Sequence, residues 1–176
     1  ALSASTAAGN YAAGTAAAAI TVNKAPLTVT AADASRVYGA ANPVFTGTIT
    51  GAVNGDSFSF AATTTATATS APGAYPITPT ASGANLADYS VTSSNGTLTV
   101  TAGASTLGID VPAAGVYGGT ATATFTGNYT GTPVLSSSTT AVCTVTGATV
   151  SYVGVGACAL SASTAAGNYA AGTAAA

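Results

Sequence analysis

Leu27-Thr28-Val29-Thr30 and Thr97-Leu98-Thr99-Val100 decide the fold class. Each stretch alternates an aliphatic side chain with a threonine. A period of two sends successive side chains to opposite faces of an extended chain, so both read as strands with one buried face and one hydroxyl-bearing face. Thr, Val and Tyr suit such a surface because branched and aromatic side chains pack on the pleat. The pattern returns in TATATFT, Thr120 to Thr126. Turn residues punctuate the chain at Gly39, Asn42-Pro43, Asn54-Gly55, Pro72-Gly73, Asn95-Gly96, Gly118-Gly119, Gly147 and Gly154. Asn-Gly marks a turn because both residues tolerate positive φ. Short strands at this spacing predict an all-β chain of small sandwiches. Ala16 to Ala19 would suit a helix by propensity. Gly14 and the β-branched Ile20-Thr21-Val22 flank it, so it reads as strand or loop.

A repeat organises these strands. ALSASTAAGNYAAGTAAA, residues 1–18, recurs unchanged at residues 159–176, an offset of 158. Such an identity predicts a tandem array, or a chain that shares a segment with its neighbour. Half the offset separates Val37-Tyr38-Gly39 from Val116-Tyr117-Gly118. Each triplet follows a predicted first strand, Leu27 to Ala31 and Leu107 to Val111. Two alternating β-modules per period are the simplest reading.

Composition narrows function by exclusion. The 176 residues carry six formal charges: Lys24, Arg36, Asp33, Asp56, Asp88 and Asp110. His, Glu, Met and Trp are absent, while Ala (44) and Thr (33) dominate. Without His or Glu most acid–base machinery is missing, so no enzyme and no cofactor are expected. Two basic residues cannot line a nucleic-acid surface. The most apolar run, Ala12 to Val22, covers 11 residues and holds Gly14, Thr15 and Thr21. A membrane-spanning helix needs roughly 20 apolar residues, so no span is expected.

From residue 25 onward the order of motifs resembles a known family. Ala25-Pro26-Leu27-Thr28-Val29-Thr30 leads into Ala31-Ala32-Asp33, then Arg36-Val37-Tyr38-Gly39 and Asn42-Pro43. Gly73-Ala74-Tyr75-Pro76-Ile77, Asp88-Tyr89-Ser90-Val91 and Asn95-Gly96-Thr97-Leu98-Thr99-Val100 follow. The series resembles the MBG domain (YGX type) of large bacterial surface proteins, over about residues 25–101. Residues 102–176 resemble a bacterial Ig-like module, through Val116-Tyr117-Gly118, Val142-Cys143-Thr144-Val145 and the Gly156 turn before Cys158-Ala159-Leu160. That module lacks its final strand end. Residues 1–24 then resemble the tail of a preceding Ig-like module. The resemblance implies an extended extracellular array at the cell surface, and it transfers no catalytic residue.

Few residues remain for chemistry. Cys143 and Cys158 lie 15 apart, separated by one predicted hairpin. In an extracellular module this favours a disulfide, with reduced structural thiols as the alternative. Two cysteines without His make a poor zinc site, and four scattered Asp a poor calcium site, so no metal is expected. Lys24 reads as a solvated linker residue, Asp33 and Arg36 as a pair at a strand end, and Asp56 as a turn residue. Tyr38, Tyr75, Tyr89, Tyr117 and Tyr152 read as core or corner residues. Tyr11 and its copy Tyr169 are the candidate exposed contacts.

The resulting expectation is a structural repeat of a bacterial surface adhesin or stalk. Its partners are itself, by covalent array or lateral assembly, and an unknown surface or cell receptor. A self-assembling extracellular filament or sheath, built by module contacts or strand exchange, is the alternative. A carbohydrate-binding module is a third reading, weakened by the absence of Trp.

Overall fold

The computed structural model describes residues 2–6, 9–10 and 15–176. These residues are all-β; one 3-10 turn, Leu86–Asp88, is their only helical element. The chain opens with an antiparallel hairpin of β1 (Leu2–Ser5) and β2 (Thr15–Ala18), exposed along its length. The segment 19–24 leads from it without strand pairing, and Ile20 and Val22 in it are exposed.

A first sandwich follows. Its strands are β3 (Ala25–Ala31), β4 (Ala34–Val37), β5 (Gly47–Thr50), β6 (Ser59–Thr64), β7 (Gly73–Ser82), β8 (Tyr89–Ser94) and β9 (Gly96–Thr101). One sheet has the order β5-β3-β8 and the other β4-β9-β7-β6. The alternation in β3 and β9 is realised as expected: Leu27, Val29, Leu98 and Val100 face inward and are buried. Leu98 and Val100 form one buried cluster with Ala31, Ala66 and Ile77, with Phe45, Phe60 and Tyr75 at its margin.

Two parallel pairings set the topology. β3 pairs with β8 and β4 with β9, with Ala25 opposite Tyr89, Ala34 opposite Leu98 and Val37 opposite Thr101. The offset is 64 throughout, so segments 25–37 and 89–101 run side by side and change sheets at the same level. Asn95-Gly96 is therefore not the hairpin turn its sequence suggested. Gly96 is buried and lacks a positive φ. Its role is close approach: a Cβ there would sit 2.5 Å from the Ala32 carbonyl oxygen and 2.9 Å from that of Ala31. Asn54-Gly55 does form the expected turn, with φ of 58° and 80°.

The second sandwich holds β10 (Gly108–Asp110), β11 (Thr120–Thr122), β12 (Thr124–Thr126), β13 (Val134–Ser137), β14 (Cys143–Thr146), β15 (Thr149–Tyr152), β16 (Leu160–Thr164) and β17 (Gly172–Ala175). Sheets β11-β15-β14, β13-β16-β17 and β10-β12 enclose a core of Ala123, Leu135, Cys143, Val150, Leu160 and Ala162. Thr120 to Thr126, read as one strand, is two. The chain turns inward at Ala123, 3% exposed, so β11 and β12 join different sheets.

Candidate functional site

The charged and phenolic groups of the first sandwich serve its architecture. Tyr89, at the start of β8, is buried against Phe58, with ring centroids 5.0 Å apart and edge-on. Its hydroxyl accepts from the Val53 amide at 3.0 Å and lies 2.7 Å from Asp56 Oδ2, to which it donates. Asn85 Nδ2 donates to the other Asp56 oxygen at 2.6 Å. Asp56 thus ties the turn at Asn54-Gly55 to β8. Burial raises the Tyr89 phenol above its ordinary pKa, and the neighbouring charges of Asp56 and Asp88 add to this.

Asp33 and Arg36 do not pair with each other. Asp33 Oδ1 accepts from the Thr97 amide at 2.7 Å, at the level where both long segments change sheets. Arg36, 7% exposed, donates Nε to Asn42 Oδ1 at 2.7 Å and its terminal nitrogens to the carbonyls of Val37 and Thr67. Asn42 in turn donates to the Ala66 carbonyl. The strand-end position predicted an exposed pair. Instead a loop folds over the guanidinium and supplies neutral acceptors. Among the described residues no cluster of three His, Cys, Asp or Glu could hold a metal. No helix among them is long and apolar enough to cross a membrane.

Cys143 and Cys158 form a disulfide, with Cα atoms 5.6 Å apart. Cys143 opens β14, and Cys158 precedes β16 in the opposite sheet. The bond therefore staples the two larger sheets of the second sandwich. Closing a 15-residue loop contributes about 3 kcal/mol, substantial for so thin a core. Beside it opens a cleft of about 520 Å³, lined by Val111, Tyr117, Tyr152, Val155, Cys158 and Leu160 among others.

The two sandwiches meet through Tyr169, which the sequence offered as an exposed contact. It is half-buried in loop 165–171, and its ring packs edge-on against Tyr38, with centroids 5.5 Å apart. The Gly103 amide donates to the Asn168 carbonyl at 2.9 Å, and the Ala170 amide to the Gly103 carbonyl at 2.7 Å. Tyr11, the copy of Tyr169, lies outside the described residues.

Tyr38 and Tyr117 occupy matching turns. Gly39 and Gly118 both have positive φ (86° and 81°), and in each turn the amide after the glycine donates to the carbonyl of the preceding valine. Their surroundings differ. Tyr38 packs on Tyr169, whereas Tyr117 is 70% exposed at the cleft rather than in a core.

The repeated segment forms one hairpin twice. β16 pairs with β17 as Ser161 with Ala175, Ala162 with Ala174 and Ser163 with Thr173. β1 pairs with β2 as Ser3 with Ala17, Ala4 with Ala16 and Ser5 with Thr15, the same register shifted by 158. In the second sandwich β13 pairs along the outer edge of β16. Among the described residues no strand pairs with the outer edge of β1. No motif of catalytic chemistry would have revealed this surface; the sequence identity alone points to it.

Residues 27–99, the span of the first sandwich, match the MBG domain (YGX type) family. No curated protein and no solved structure matches the chain.

Proposed function

We propose that this chain is a structural segment of a bacterial surface protein, in which MBG and Ig-like sandwiches alternate as a stalk carrying an adhesive end. The match of residues 27–99 to the MBG family carries the reading, because that family recurs in large bacterial surface proteins. The identical hairpins on either side of the first sandwich support it. In a covalent array of 158-residue periods, residues 1–18 are the last hairpin of one second-type sandwich and residues 159–176 that of the next.

The surface chemistry agrees with this role. Thr, Ser, Asn and backbone groups hydrate by neutral hydrogen bonds, so the stalk responds little to ionic strength. The chain acts without cofactor, metal or catalysis. An oxidising exterior suits the disulfide between Cys143 and Cys158. Immunogold labelling of intact, unpermeabilised cells with antibody against residues 25–176 tests the proposal. Gold along surface fibres is the expected result; label that appears only after permeabilisation overturns it.

A further inference from the structure

Segments 25–37 and 89–101 are the two ends of the first sandwich, and they lie against each other along their length. Ala25 to Thr30 pair with Tyr89 to Ser94, and Ala34 to Val37 with Leu98 to Thr101, all in parallel. The chain therefore enters the sandwich beside Tyr89 and leaves it beside Val37, at opposite ends of the paired length. Tension along the chain draws the two segments in opposite directions along one axis. We propose that the first sandwich is a load-bearing unit, in which tension shears these segments and the sheet switch between them is the latch. The source of the load rests on the stalk reading; the resistance to it belongs to the fold.

Direction decides how backbone bonds share a load. Strands drawn apart at one end unzip, and each pair carries the force alone in its turn. Strands made to slide load every pair at once, so none yields until many do. Here the two ladders hold six and four register pairs. At the exit the Tyr38 amide donates to the Thr101 carbonyl at 2.8 Å, and Thr101 Oγ1 donates to the Arg36 carbonyl at 3.3 Å. β5 and β6 lie off this path.

Burial forbids a partial slip. Leu27, Val29, Leu98 and Val100 are at most 2% exposed. Pairing one residue out of register turns such side chains to the opposite face. The switch adds a steric stop. Gly96 fits where a Cβ would stand 2.5 Å from the Ala32 carbonyl oxygen and 2.9 Å from that of Ala31. Tension draws Asn95 into that place, and Asn95 carries the Cβ for which there is no room. The Thr97 amide donates to Asp33 Oδ1 at 2.7 Å, pinning the same level from the other segment.

Optical tweezers holding the full chain by its two termini at constant force test the proposal. Length tells the sandwiches apart. Residues 25–101 release at most roughly 250–280 Å when drawn out. Residues 102–176 release at most about 200–215 Å, because the disulfide withholds the stretch between Cys143 and Cys158. The first sandwich is expected to open in one step, with no shorter step before it. Asp33→Ala/Thr101→Val weakens contacts between the two segments and is expected to shorten its lifetime under load about tenfold. Phe60→Leu, and the harsher Phe60→Ala, thin the packing at β6. Urea unfolding is expected to show them less stable, yet their lifetime under load should change by less than about twofold, because packing still intact at the barrier leaves the unfolding rate unaltered. Lifetimes that follow urea stability alike in both kinds of variant, or release of the first sandwich in several short steps from an outer strand, overturn the proposal. The measurement uses purified chain, so its failure and the failure of the surface labelling are separate results.

Discussion

The rings of Tyr38 and Tyr169 meet at 78° with centroids 5.5 Å apart, joining a turn of the first sandwich to a loop of the second. An edge-on aromatic pair is worth about 0.5–1.5 kcal/mol beyond its buried area. Tyr169→Ala is expected to leave each sandwich folded while loosening their mutual orientation. NMR relaxation is then expected to show the two sandwiches tumbling more independently than in the native chain.

At the sheet switch, Gly96→Ala forces a methyl group against the Ala31 and Ala32 carbonyls. Those atoms belong to the backbone and cannot rotate away. A loss of about 3 kcal/mol is expected, at the upper end of ordinary overpacking. Asp33→Ala, which removes the acceptor of the Thr97 amide, is expected to cost about 1–2 kcal/mol. Urea unfolding of the first sandwich would measure both.

Stability of the first sandwich is expected to fall at high pH through Tyr89. Burial raises this phenol in the folded state, so above its ordinary value near 10 the unfolded chain releases a proton the folded one retains. Folding then binds more protons than unfolding, and stability decreases as pH rises. The contribution is fully present below pH 10. Urea midpoints for native protein and Tyr89→Phe should converge in slope below pH 9, and the native midpoint should drop more steeply above pH 10.

Removing the staple with Cys143→Ala/Cys158→Ala is expected to cost the second sandwich about 3 kcal/mol. The first sandwich should be unaffected, since no cysteine belongs to it. Differential scanning calorimetry would show one transition moving. Alkylation of the native chain without reductant should label neither thiol.

Trypsin is expected to cut the native chain after Lys24 and to spare Arg36. Lys24 is exposed in the strand-free segment 19–24, while Arg36 is buried under the loop that carries Asn42 and Thr67. Mass spectrometry should find residues 25–176 intact, with cleavage at Arg36 only after denaturation.

The strands, the Asn54-Gly55 turn and the buried faces of β3 and β9 were legible because each depends on residues close in sequence. Asn95-Gly96 misled for the opposite reason. Its dipeptide suits a turn, but the backbone there is shaped by carbonyls 64 residues away, and absence of a Cβ matters rather than positive φ. Arg36 misled likewise: its partners come from Asn42, Thr67 and its own neighbour Val37, and no strand pattern reports how a loop will fold over it. Tyr38 and Tyr117 share a triplet and a turn, yet only the arrangement of the sandwiches puts Tyr169 against one of them.

By itself the sequence determined the all-β class, the strand faces and the existence of a repeated hairpin, since alternation, turn chemistry and identity are properties of the chain. Tertiary structure decided which sheet each strand joins and which groups the polar side chains meet. It also decided the fate of the repeat. Burial belongs to neighbours rather than to residues, so Leu-Ser-Ala-Ser lies against the core in β16 beside β13 and is exposed in β1.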